Sequence, residues 1–79
     1  MDEREITRFL SPCDDNPAWM AGKEAGEMDR ADGKRYTADE LADAASQFGE
    51  EVARDGAPLS ASAIAAYYVL GYLAATCGN

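Results

Sequence analysis

The stretch TADELADAASQFGEEVARDG, residues 37–56, decides the fold. Thr37 and Glu40 stand as T-x-x-E, a capping box in which each side chain satisfies an orphan backbone donor of a helix start. At about 100° per residue, Leu41, Ala45, Phe48 and Val52 gather on one side. Asp39, Asp43 and Glu50 line the opposite side, flanked by Glu40 and Glu51. Gly56 supplies the C-terminal stop, and Pro58 forbids continuation. The stretch therefore predicts an amphipathic helix, and a half-apolar helix requires neighbours.

Downstream, LSASAIAAYYVLGYLAATCGN predicts a helix that starts at an N-cap, Ser60, with Leu59 and Ile64 at the two positions of a hydrophobic staple. It carries no charged side chain and is apolar almost all round, the pattern of a helix buried at the centre of a bundle. A membrane span is the competing reading. It is disfavoured by Tyr67, Tyr68 and Tyr72 at mid-length and by the lack of flanking Lys or Arg anchors.

Upstream, Asn16 followed by Pro17 predicts a helix entry, a side-chain cap with proline at the first helical position. In AWMAGKEAGEMDR, Met20, Ala21, Ala25 and Met28 form a candidate apolar stripe with Trp19 as anchor, and Gly33 ends the pattern. Gly22 and Gly26, four apart on one face, permit close approach of a neighbouring backbone. A short helix over residues 2–10 is expected from the early acids and from Ile6, Phe9 and Leu10, with Pro12 ending it. Together these segments predict an all-α fold, a compact bundle of three to four short helices around an apolar C-terminal helix. The 79 residues are expected to form one domain, because a chain of this length has too little apolar surface for a second core.

A formal net charge of −8 opposes direct binding to nucleic acid or to an anionic membrane and suits a basic protein partner. There is no histidine, so the commonest general base is missing. Asp14 and Asp15 could do acid–base work only as adjacent acids in a proline-flanked turn, which usually solvate or cap helices. Gly33 preceded by Asp32 resembles part of a calcium loop, but aligning it puts Met28 and Arg30 where the first oxygen ligands belong. No phosphate loop, dinucleotide fingerprint or metal-ligand spacing is present, and we expect neither an enzyme nor a cofactor. Cys13 and Cys77 could pair only if the chain ends meet. The acidic N-terminus has the wrong sign for a signal peptide, so a reducing cytoplasm is the expected location.

The concentration of carboxylates on residues 37–56, a net −5 from six acids and one arginine, admits two explanations. It is either the wet side of an amphipathic helix or a surface for a basic partner. Like charges on successive turns cost a few tenths of a kcal/mol per pair, so the arrangement does not serve the helix itself. Asp39 and Asp43 lie about 6 Å apart along the axis and Glu50 about 10 Å further, spacings that approximate steps along a phosphate backbone. In length, charge and lack of catalytic motifs the chain resembles the small acidic, phage-encoded inhibitors of host defence, anti-CRISPR proteins among them. That resemblance implies charge mimicry at the nucleic-acid site of a basic protein complex. The contact residues expected from the charge pattern are Asp39, Glu40, Asp43, Glu50 and Glu51, extended by Glu24, Glu27 and Asp29. The alternative is a helical interaction or dimerisation module that meets its partner, or a second copy, through an apolar surface with Tyr67, Tyr68, Tyr72 and Trp19 as anchors, although plain core packing with hydroxyls reaching water is the simpler place for the tyrosines.

Overall fold

The computed structural model describes residues 3, 4, 7, 16–34 and 36–77. Among these residues it is all-helical, with α1 (Pro17–Ala31), α2 (Ala38–Arg54) and α3 (Ala61–Thr76) in chain order. Of the helix expected over residues 2–10, only Glu3, Arg4 and Thr7 are described. All three have helical backbone, and the Thr7 hydroxyl donates to the Glu3 carbonyl at 2.9 Å. The rest of that segment, with Cys13, Asp14 and Asp15, lies outside the described residues.

Each helix begins where its capping chemistry places it. Asn16 Oδ1 accepts from the Ala18 and Trp19 backbone N–H groups at 2.9 and 3.3 Å. Thr37 Oγ1 accepts from Glu40 N–H at 3.2 Å while the Glu40 carboxylate accepts from Thr37 N–H at 3.1 Å, completing the capping box. Ser60 Oγ accepts from Ala63 N–H at 3.3 Å. The first two helices also end alike. Gly33 and Gly56 adopt φ of +71° and +92°, the left-handed region that L side chains avoid. Lys34 N–H then reaches back to the Asp29 carbonyl and Ala57 N–H to the Val52 carbonyl, closing two Schellman motifs.

α3 is the hub, because α1 and α2 both pack along it and scarcely touch each other. α1 runs parallel to α3, with Ala18 level with Ile64 and Gly26 level with Ala75, while α2 returns antiparallel. The α1–α3 contact is made by missing side chains. A Cβ on Gly22 would collide with the Tyr68 carbonyl oxygen, and one on Gly71 with the Trp19 carbonyl oxygen. At Gly26 it would lie 2.8 Å from both Ala75 Cβ and the Tyr72 oxygen. Gly49 performs the same service on α2, where a Cβ would meet the Ala61 carbonyl.

This geometry corrects the reading of the α1 stripe. Met20 and Met28 are exposed, Met28 by 68%, and the buried side of α1 is Ala18, Gly22 and Gly26. Backbones brought together along small residues gain many dispersion contacts at once, which the flexible methionines would prevent by holding the helices apart. The picture of α3 as buried all round also needs correction. Ile64, Gly71, Tyr72 and Ala75 are buried, but Ala66, Leu70, Leu73 and Ala74 are exposed, because two flanking helices cover only part of a cylinder.

Candidate partner-binding surface

On α2 the apolar and acidic sides fall as the periodicity places them. Leu41, Ala45 and Gly49 are buried, Phe48 and Val52 half-buried, and the Phe48 ring packs on Tyr68 of α3 with centroids 5.0 Å apart. Asp39, Asp43, Glu50 and Glu51 are exposed; Glu50 borders a small hollow shared with Ala61, Ser62 and Ala65 at the start of α3, and Glu51 lies on the flank of the face that carries Asp39 and Asp43. Glu40 is exposed too, but one of its oxygens is engaged by the cap. Among the described residues, no Lys or Arg nitrogen stands within 4.0 Å of these carboxylates. From Asp39 to Glu51 the five acids span about 18 Å along the axis in uneven steps, the widest about 10 Å between Asp43 and Glu50. They fall into two groups, Asp39, Glu40 and Asp43 in the first two turns and Glu50 and Glu51 in the fourth, with Arg54 following.

The three acids expected on α1 separate. Glu24 and Glu27 are exposed on the face opposite the glycines, around a hollow of about 290 Å³ shared with Trp19, Met20 and Lys23. There Lys23 Nζ sits 5.4 Å from the centroid of the Trp19 ring, so a cation interrupts the negative surface. Asp29 lies on the other side, half-buried, and its Oδ2 accepts from the Tyr72 hydroxyl at 2.8 Å. The structure thus places the α2 acids on one helix, puts Glu24 and Glu27 on a second helix that reaches α2 only through α3, and engages the half-buried Asp29 with Tyr72.

Tyr72 takes the core position that plain packing gives the tyrosines and leaves the set of interface anchors, but its hydroxyl meets protein groups where water was expected. As an interface anchor it would be exposed; instead it is 1% exposed and ties three segments together. Its hydroxyl donates to Asp29 at the end of α1 and accepts from Tyr36 N–H at 2.9 Å, just before the α2 cap, while the two rings stack with centroids 5.4 Å apart. Burial raises its pKa. The hydrogen bond from Tyr36 N–H opposes that rise, and the Asp29 carboxylate adds to it. The Tyr68 hydroxyl is raised as well, by burial first and then by the Tyr36 and Asp29 charges. Trp19, Tyr67 and Tyr68 are half-buried.

The large apolar side chains that do reach solvent on α3 are Leu70, 55% exposed, and Leu73, 39% exposed. Beside them, between the first turns of α2 and the second half of α3, opens an apolar groove of about 440 Å³. Tyr36, Leu41, Ala42, Val69 and Leu73 line it. The signal for this surface was present in the uncharged run of α3; which side stays open depends on how two helices cover it. No group of His, Cys, Asp and Glu among the described residues could hold a metal, and none of the described helices is long and apolar enough to cross a membrane.

No protein family matches the chain, and no characterised protein or solved structure shows significant similarity to it. Any functional reading therefore rests on these residues alone.

Proposed function

We propose that this protein is a non-enzymatic acidic interaction protein. It binds a basic, nucleic-acid-handling protein and occupies the site that the nucleic acid would take, in the manner of the phage-encoded inhibitors it resembles. One observation carries the reading: Asp39, Asp43 and Glu50, which share a face of α2 by helical period, and the flanking Glu51 are all exposed, without an ion pair among the described residues. Unpaired carboxylates on a rigid helix offer Lys and Arg side chains an anionic row that needs no rearrangement. The field of a molecule with net charge −8 would speed the encounter. Glu24 and Glu27 extend the negative surface, whereas Asp29 supports the fold.

The test uses the wild-type chain and Asp43→Lys/Glu50→Lys as baits in a cell lysate, followed by nucleic-acid binding assays on the captured protein. The wild type should capture a basic nucleic-acid-binding protein and displace its nucleic acid, less effectively as salt rises. The charge-reversed chain should do neither, with helicity and melting temperature nearly unchanged. Equal capture by both baits, or a captured protein that keeps its nucleic acid, overturns the proposal. A second reading, contact through an apolar surface, is favoured by the exposure of Leu70 and Leu73.

A further inference from the structure

Two features of the α3 surface are incomplete in the same way. Leu70 and Leu73 project from a helix without charge, and the groove next to them, walled by Leu41, Val69 and Leu73, stands open. Protruding leucine and empty apolar hollow lie side by side on one molecule, which is what a self-complementary contact requires.

We propose that this surface joins two copies of the chain about a two-fold axis, with Leu70 of each copy seated in the Leu41–Val69 groove of the other. The inference rests on the apolar-contact reading and is independent of the α2 strip.

Charge selects the occupant. The exposed carboxylates of the described helices belong to α1 and α2, and α3 carries none, so its open side is where two equally charged copies meet with least carboxylate opposition. A basic partner attracted to the acids would find none on α3 itself, where Leu70 projects. The area is sufficient for a weak dimer. α3 is about 24 Å long, and a helix-wide contact of that length with the groove buries on the order of 1,000 Å² in total, the low end for specific association. Asp39 and Asp43 neighbour the groove residues Ala38 and Ala42, so some repulsion remains and salt should relieve it. Self-association therefore tightens with salt, the opposite sign to binding of a basic protein by the strip.

Sedimentation of the full chain from about 1 μM to about 1 mM, at low and high salt, tests this. The expected result is a reversible dimer in the micromolar range that strengthens as salt rises. Leu70→Glu on the projecting side and Ala42→Lys in the groove should each weaken it at least tenfold. Both positions are exposed, so circular dichroism should show the helices intact. Glu50→Lys touches neither surface and should leave the dimer unchanged while impairing capture of a basic protein, so the two proposals fail separately. A monomer at every concentration, which leaves the face to a partner of other sequence, overturns the inference. A dimer that survives Leu70→Glu or Ala42→Lys also overturns it.

Discussion

Replacing Gly71 by alanine sets two physical effects of opposite sign against each other. Helix propensity alone predicts stabilisation, because alanine in a helix interior is favoured over glycine by about 1 kcal/mol. Packing predicts the reverse. The new Cβ would overlap the Trp19 carbonyl oxygen and come within 2.8 Å of the Trp19 carbonyl carbon and 2.9 Å of the Lys23 nitrogen, all backbone atoms that cannot rotate away. To clear that backbone oxygen the two helices must separate by about an ångström. Overpacking of this kind costs about 1–3 kcal/mol or more. A gap of that size also forfeits a quarter to a half of each dispersion contact along Ala18, Gly26, Ile64 and Ala75. The sum is a net loss of about 2 kcal/mol, a large fraction of the roughly 4–12 kcal/mol expected for a domain of this length. Thermal denaturation followed by circular dichroism should show a melting temperature lower by roughly 8–16 °C. Gly22→Ala should behave alike, since its Cβ meets the Tyr68 carbonyl across the same interface, and the double variant should lose less than the sum, because the first separation makes room for the second methyl. A Gly71→Ala protein that melts at the wild-type temperature or above it refutes the glycine-mediated contact and shows that propensity governs.

The remaining predictions concern the buried polar groups. Tyr72→Phe removes both hydroxyl hydrogen bonds and leaves the half-buried Asp29 carboxylate without its donor, for a loss of about 2 kcal/mol measured by urea denaturation; an unchanged midpoint would show that water replaces the network. Because the folded state raises the Tyr72 and Tyr68 pKa above the ordinary 10.0, it keeps protons that the unfolded chain loses. Stability is thus retained below pH 10 and declines as pH rises beyond it. Tyr72→Phe should flatten that alkaline decline, and an identical slope in wild type and variant would contradict the assignment. Asn16→Ala deletes a fully buried cap that serves two N–H groups and should cost about 1–2 kcal/mol by the same denaturation measurement; a cost near zero would mean that solvent reaches the helix start.

The local chemistry of this chain was legible residue by residue. The cap at Thr37 with Glu40, the entry at Asn16 and Pro17, the start at Ser60 and the stops at Gly33 and Gly56 depend on bonds made within a few residues, so neighbours in the chain suffice to specify them. The outward row of Asp39, Asp43 and Glu50 follows from helical period alone once Leu41 and Ala45 are turned inward. For α1 the sequence offered two faces, the methionine stripe and the Gly22–Gly26 close approach, and the structure buries the second. Hydrophobicity favours Met20 and Met28, and only a partner helix with its own glycine at position 71 makes the Gly22 face the better contact. The same holds for the tyrosines, identical in sequence terms, of which Tyr72 alone meets Asp29 and Tyr36 and is buried. The open side of α3, with Leu70 and Leu73, depends on the directions from which α1 and α2 approach. Interactions within one helical turn are encoded by adjacent residues, whereas burial depends on surfaces distant along the chain, such as the Tyr36–Tyr72 contact 36 positions apart, and exists only after the helices have met.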